Sequence, residues 1–120
     1  MSDQNKPKRA STMKDLLTNE YGVNVHPSNE SGTYAVGTTA GQILSNNPNR
    51  VGLTFVNPGT INVLLFFGKN PTANFGILLA GGGGTLSLNW RDDMTMIPWD
   101  WYAIAPGGAT NITVASLETL

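Results

Sequence analysis

Cysteine is absent from the chain, which removes disulfide staples, thiolate nucleophiles and cysteine-based zinc sites together. Histidine is almost absent: His26 stands alone beside Pro27, and no serine lies in a G-x-S-x-G elbow. A Ser-His-Asp triad therefore has no material, and His26 reads as a loop residue rather than a catalytic base. Charge is scarce as well. Asp, Glu, Lys and Arg make up 12% of the 120 residues, about half the roughly 25% of an ordinary soluble domain. With a net charge of −1, no global field draws the chain toward nucleic acid or anionic lipid. Long apolar runs are missing too. The run Val63–Phe67 falls far short of the roughly 20 residues that span a bilayer. The first 14 residues are polar, without the apolar centre of a secretory leader, so neither a membrane span nor a cleaved export signal is expected.

Turn formers are plentiful: 14 Gly and 7 Pro, without the triplet period of collagen. The length suits one domain with a tail. Residues 1–32 read as an arm and linker. Their opening is polar and poor in hydrophobes, and residues 12–21 suit a short helix. Ser11 or Thr12 caps it, Asp15 sits in its first turn, Met13, Leu16, Leu17 and Tyr21 share one face, and Gly22 ends it. A helix of about ten residues is marginal in water unless that apolar stripe rests on something. The stripe is thus a candidate partner-binding element, and residues 23–32, broken by Pro27, Asn29 and Gly32, read as an extended linker.

From residue 33 to 120 the pattern becomes one of short β-prone runs: 33–37, 41–44, 50–57, 62–68, 76–80, 85–90, 94–97, 101–105 and 111–117. Asn-Pro and Gly-rich turns separate them. The spacing predicts an all-β fold, an antiparallel β-sandwich or jelly-roll-like domain of about eight strands. Val51, Leu53 and Phe55 alternate with Gly52, Thr54 and Val56, as do Leu86 and Leu88 with Thr85 and Ser87, which marks half-buried antiparallel strands. Residues 63–67 and 76–79 do not alternate, so apolar side chains leave both faces of their sheet. One such face needs a cover, either the amino-terminal helix or another subunit. The low charge favours the subunit, and a homo-dimer or homo-trimer is expected.

Chemistry-bearing groups are few. Asp92, Asp93 and Asp100 lack the spacing of a calcium loop, and Arg91 stands beside them. They read as turn carboxylates rather than a metal or glycosidase site. Residues 81–84 are all glycine, without a G-K-[ST] ending or a following helix, hence a turn and no phosphate loop. Lys6, Lys8, Arg9 and Lys14 form a short basic cluster without aromatic interleaving, suited to phosphate backbone or to an acidic protein surface. Trp90, Trp99, Trp101 and Tyr102 are the aromatic constellation. Trp99 and Trp101 share parity, and such residues serve a core, a subunit interface or a sugar-stacking platform. No catalytic residue, cofactor or metal is expected.

Asn47-Pro48-Asn49-Arg50-Val51 opens a strand and Asn57-Pro58-Gly59-Thr60 closes it. Phe67-Gly68, Gly76-Ile77-Leu78-Leu79, a Thr-Leu-Ser-Leu strand and a closing Trp-Tyr-Ala-Ile-Ala-x-Gly-Gly-Ala-Thr segment follow. This texture, over residues 43–117, resembles the small β proteins of tailed-phage virions, the capsid decoration or cement proteins and minor structural components. The resemblance implies a non-enzymatic virion protein on the capsid surface, made in the host cytoplasm. It would stabilise the shell by binding the major capsid protein and itself, with no membrane or nucleic-acid partner. The alternative is a carbohydrate- or receptor-binding module of a phage fibre or tail that uses Trp99, Trp101 and Tyr102.

Overall fold

The computed structural model describes residues 25–93 and 95–119. The helix expected at 12–21 and the basic cluster lie outside them. Among the described residues, nine strands and one helical turn follow in chain order: β1 (Val25–Pro27), β2 (Gly32–Val36), β3 (Gly41–Leu44), β4 (Arg50–Asn57), β5 (Val63–Phe67), β6 (Ile77–Leu79), β7 (Gly84–Asn89), α1 (Trp90–Asp93), β8 (Trp101–Ile104) and β9 (Thr110–Thr119). The all-β expectation holds. No helix among the described residues is long and apolar enough to cross a membrane.

The strands form two antiparallel sheets. The first runs β1–β9–β4–β7, with β2 also on β9, and the second runs β3–β8–β5–β6. β1 pairs with residues 117–119 of β9 and β2 with residues 110–114, so the two form one interrupted edge. The pairing is nested: β2 with β9, β3 with β8, β4 with β7, and β5 with β6. A long hairpin rolled up on itself gives this pattern, which is the jelly roll, a two-sheet solution to burying one face of each strand.

Leu53, Phe55, Ile112 and Val114 of the first sheet meet Val63, Leu65, Leu79, Trp101 and Ala103 of the second in one buried core. Trp101 is its largest member. Its ring centroid lies 5.0 Å from that of Phe55 and 5.6 Å from that of Phe67, tilted arrangements that aromatic pairs favour.

Three local readings change. The linker at 23–32 contains β1, and Ser28 and Glu30 are built into the sandwich, so the β domain begins at least as early as Val25 rather than at 33. An edge position tolerates Pro27 because its missing N–H is not needed by the ladder. The strand expected at 94–97 is not formed, since residues 95–97 are turn and bend. Asn89 starts α1 just before them: its Oδ1 accepts from the Asp92 N–H at 3.0 Å, and its own N–H donates to Asp93 Oδ2 at 3.2 Å. That is an N-cap with acidic residues in the first turn. Lastly, Val51 does not join the core face with Leu53 and Phe55. The β4–β9 register shifts between Arg50 and Gly52, and this bulge turns Arg50 inward in its place.

Candidate functional site

Arg50 organises one end of the sandwich. Its side chain has no exposed surface, and that of Glu30 is 22% exposed. The guanidinium donates to Glu30 Oε2 at 2.9 Å and Oε1 at 2.6 Å, to the carbonyls of Ile97 at 2.7 Å and Trp99 at 2.9 Å, and to that of Ser45 at 2.8 Å. All five donors of the fork are used. Glu30 also accepts from Ser116 Oγ at 3.1 Å and Asn47 Nδ2 at 3.4 Å, and its carbonyl accepts from the Tyr34 hydroxyl. Burial pushes the Glu30 carboxyl upward, but the hydrogen bonds and charge of Arg50, with Ser116 and Asn47, outweigh it and hold the group below its ordinary value. Every strong group here is already matched. The cluster is a latch joining the β1–β2, β3–β4 and β7–β8 connections, with no open position for a reactant. Sequence reading missed it because a lone Arg at a strand start reads as solvated; the bulge that buries it leaves no mark in the alternation.

The other polar candidates are likewise occupied. The four N–H groups of residues 81–84 donate to Asn62 Oδ1, Gly59 O, Asn57 O and Ala80 O, so the glycine run has no free donors to cradle a phosphate. Asp92 and Asp93 accept from the side chain and backbone N–H of Asn89 at the start of α1, while Asp100 accepts from the Tyr102 hydroxyl at 2.6 Å. That hydrogen bond, then burial and the Asp100 charge, raise the Tyr102 phenol above its ordinary value. The three aspartates are not gathered, and the described residues hold no cluster of His, Cys, Asp or Glu fit for a metal ion. His26 Nδ1 lies 3.0 Å from the Pro27 carbonyl.

The aromatic constellation separates. Trp101 is fully buried, Trp90 packs against the core, and Trp99 is 49% exposed. Shared parity does not place Trp99 and Trp101 on one face because Trp99 stands in the bend before β8. The three-residue stacking platform is therefore not assembled. Trp99 lies instead over Gly68, 3.7 Å from where a β-carbon would stand, and forms a shallow apolar groove with Phe67, Gly68, Lys69 and Thr95.

The two outer sheet faces differ. On the first sheet, Thr85, Val56, Thr113 and Thr33 stand side by side, and Ser87, Thr54 and Ala115 form the next row. That face is rich in hydroxyls. On the second, alternation from the buried Val63 and Leu65 sends Leu64 and Phe66 outward. Leu64 is flanked by Leu78 on β6 and Ile104 on β8, and Phe66 faces Tyr102. Leu78 is 59% exposed. Phe75, 39% exposed, extends the patch, its ring centroid 4.7 Å from that of Phe66 and 4.6 Å from Lys69 Nζ. Apolar side chains thus leave both faces of this sheet, as the non-alternating runs require. Met13, Leu16, Leu17 and Tyr21 lie outside the described residues.

No protein-family model and no curated protein matches this chain. Among solved structures, it is similar to a chain described under "Bacillus endospore appendages form a novel family of disulfide-linked pili", with 12% identity, a TM-score of 0.46, and 80% of this chain and 88% of that one covered. The similarity is one of strand arrangement; this chain has no cysteine with which to form a disulfide. The expectations of a bacteriophage capsid decoration protein and of a major capsid protein as partner are corrected here, because the matching structure is an endospore appendage chain and not a virion protein.

Proposed function

We propose that this chain is a non-catalytic structural β-sandwich subunit that works by associating with copies of itself through the outer face of its second sheet. The observation that carries the reading is the row Leu78–Leu64–Ile104 with Phe66 and Tyr102 beside it. A sheet face in water ordinarily shows the hydroxyls seen on the first sheet, and apolar patches rimmed by polar residues mark interaction sites. The polar groups of the candidate sites are bound to one another, which leaves burial of surface as the chemistry on offer. Light scattering after size exclusion tests it. The chain should elute as an oligomer, and Leu78→Lys should shift it toward monomer while the melting temperature of the domain stays within a few degrees. A monomer at all concentrations, or an oligomer indifferent to Leu78→Lys, overturns the reading.

A second reading, capture of a carbohydrate or receptor, draws on the half-exposed Trp99 indole beside Lys69. It would show as glycan-array binding that Trp99→Ala abolishes without changing the oligomer.

A further inference from the structure

The edges of the two sheets are not equally protected. An edge strand turns alternate N–H and C=O groups away from its one neighbour, and proteins blunt such edges with short strands, prolines, charges and bulges. β6 has three residues, and β3 has four with a register shift between Gln42 and Leu44. β1 ends in Pro27, and β2, on the same side of β9, has five residues and is cut off from β1 by the turn that carries Glu30. β7 has none of these devices. It runs for six residues in unbroken register with β4, without proline or charge, and no charged residue occurs between Lys69 and Arg91. Among the described residues, β4 is the one strand that pairs with it, and residues 85–88 make no backbone–backbone hydrogen bond outside that ladder.

What this edge accepts is set by its own alternation. Thr85, Ser87 and Asn89 are exposed on the hydroxyl-rich outer face, while on the core side Leu86 is half-buried and Leu88 buried. Residues directly opposite in an antiparallel pair share a face, so an added strand preserves the core only if its leucines fall opposite these. β7 meets that requirement itself. Turned about a two-fold axis through Ser87, it sets Ser87 opposite Ser87, Leu86 opposite Leu88 and Thr85 opposite Asn89. A shift of one residue puts every side chain on the wrong face, and centring on Leu86 instead places Gly84, which has no side chain, opposite Leu88. The ends agree. The axis brings α1 of each copy, with Arg91, Asp92 and Asp93, to the uncharged glycine turn of the other, where a β-carbon on Gly82 or Gly83 meets nothing within 4 Å.

We infer that β7 is an isologous interface: two copies of this chain pair antiparallel through residues 85–89, joining their first sheets across a two-fold axis. The contact is separate from the second-sheet face and goes beyond it. Because the chain is free of cysteine, a single introduced thiol reports on it. Directly opposite residues have α-carbons about 4.5–5.5 Å apart, inside the roughly 4.4–6.8 Å range of a disulfide. Under mild oxidation, full-length Ser87→Cys should give a disulfide dimer as its main product on a non-reducing gel. Thr85→Cys should not, since its two copies stand about four residues, roughly 14 Å, apart along the pair. Thr33→Cys, on β2 at the opposite edge, should be silent alone and with Ser87→Cys. The Ser87→Cys product should persist when Leu78→Lys is added to remove the second-sheet contact. A mixed Thr33→Cys/Ser87→Cys dimer in place of the Ser87→Cys one overturns the two-fold and makes the contact head-to-tail. Thr85→Cys cross-linking as fast as Ser87→Cys means that outer faces meet rather than edges, and overturns it too. A Ser87→Cys chain that melts like wild type and stays uncross-linked overturns the interface and leaves the second-sheet contact standing.

Discussion

Removing the Glu30 carboxylate should unfasten the latch at a predictable cost. In Glu30→Ala, Arg50 loses two of its five hydrogen bonds, and its side chain has no exposed surface through which water could replace them. Breaking a buried pair in this way costs about 3–5 kcal/mol. The lower end applies, because Glu30 retains partial exposure and its half of the pair is already partly solvated. Against a total of about 5–15 kcal/mol, a loss of about 3 kcal/mol should lower the melting temperature by roughly 12–24 °C at about 4–8 °C per kcal/mol. Arg50→Met should cost more, since it also strips the carbonyls of Ser45, Ile97 and Trp99 of their donor, each such loss adding about 1 kcal/mol or more.

Urea unfolding followed by tryptophan fluorescence measures all three proteins. The same melts at several pH values add a second readout. The Glu30 carboxyl is depressed in the folded state, so its contribution is present in full above its unfolded value of about 4.3 and is lost as pH falls through the folded one. The wild-type midpoint should therefore drop faster below about pH 4.3 than that of Glu30→Gln. A Glu30→Ala cost below about 1 kcal/mol, the range of exposed ion pairs, or an Arg50→Met variant more stable than Glu30→Ala, would refute the latch.

Two further outcomes bear on the core and the turns. The Trp101 indole N–H is buried without a partner, a penalty of about 1–3 kcal/mol. Trp101→Phe should therefore stay within about 1.5 kcal/mol of wild type, whereas Trp101→Ala, which empties the core, should lose about 3–5 kcal/mol in chemical denaturation. A β-carbon on Gly84 would collide with the Ala80 backbone, while one on Gly41 meets nothing within 4 Å. Gly84→Ala should thus destabilise by about 2 kcal/mol or more, and Gly41→Ala should stay within about 0.5 kcal/mol, in thermal melts.

Where the chain announces its turns, the sequence was readable. Strands β3 and β4 have the bounds expected of them because Gly41, the Asn-Pro-Asn turn and Pro58-Gly59 punctuate both ends. The apolar outer face was readable as well, since Val63–Phe67 breaks the alternation that a one-sided strand keeps. Less was visible where tertiary contact decides. β1 is three residues long and includes a proline, so only its pairing with β9 makes it a strand. The signals for α1, Asn89 followed by two aspartates, were present but lay between the β-prone runs 85–90 and 94–97, where they read as a connecting turn. Parity misplaced Trp99, because a parity argument requires a continuous strand. Arg50 depended on a bulge, and bulges are set by the partner strand.

The magnitudes also constrain the kind of assembly. The outer face of the second sheet, four strands wide with β5 five residues long, measures roughly 17 by 19 Å, and covering that roughly 320 Å² in full at about 25 cal/mol per Å² is worth about 8 kcal/mol before the costs of association. Those costs, about 4–15 kcal/mol, leave a single contact weak. Weak contacts hold when many are made at once, each raising the effective concentration for the next. A contact in which the same face meets itself is isologous and closes as a dimer, whereas one between this face and a different surface of the next copy is heterologous. A heterologous contact ends only if a ring closes; otherwise it propagates. The latch matters to that outcome even though it lies away from the face. Arg50 ties Glu30, beside the first sheet, to the carbonyl of Trp99 at the border of the second. The two sheets are thereby held in a constant relation within each copy, and that relation sets the direction in which the apolar face meets its partner.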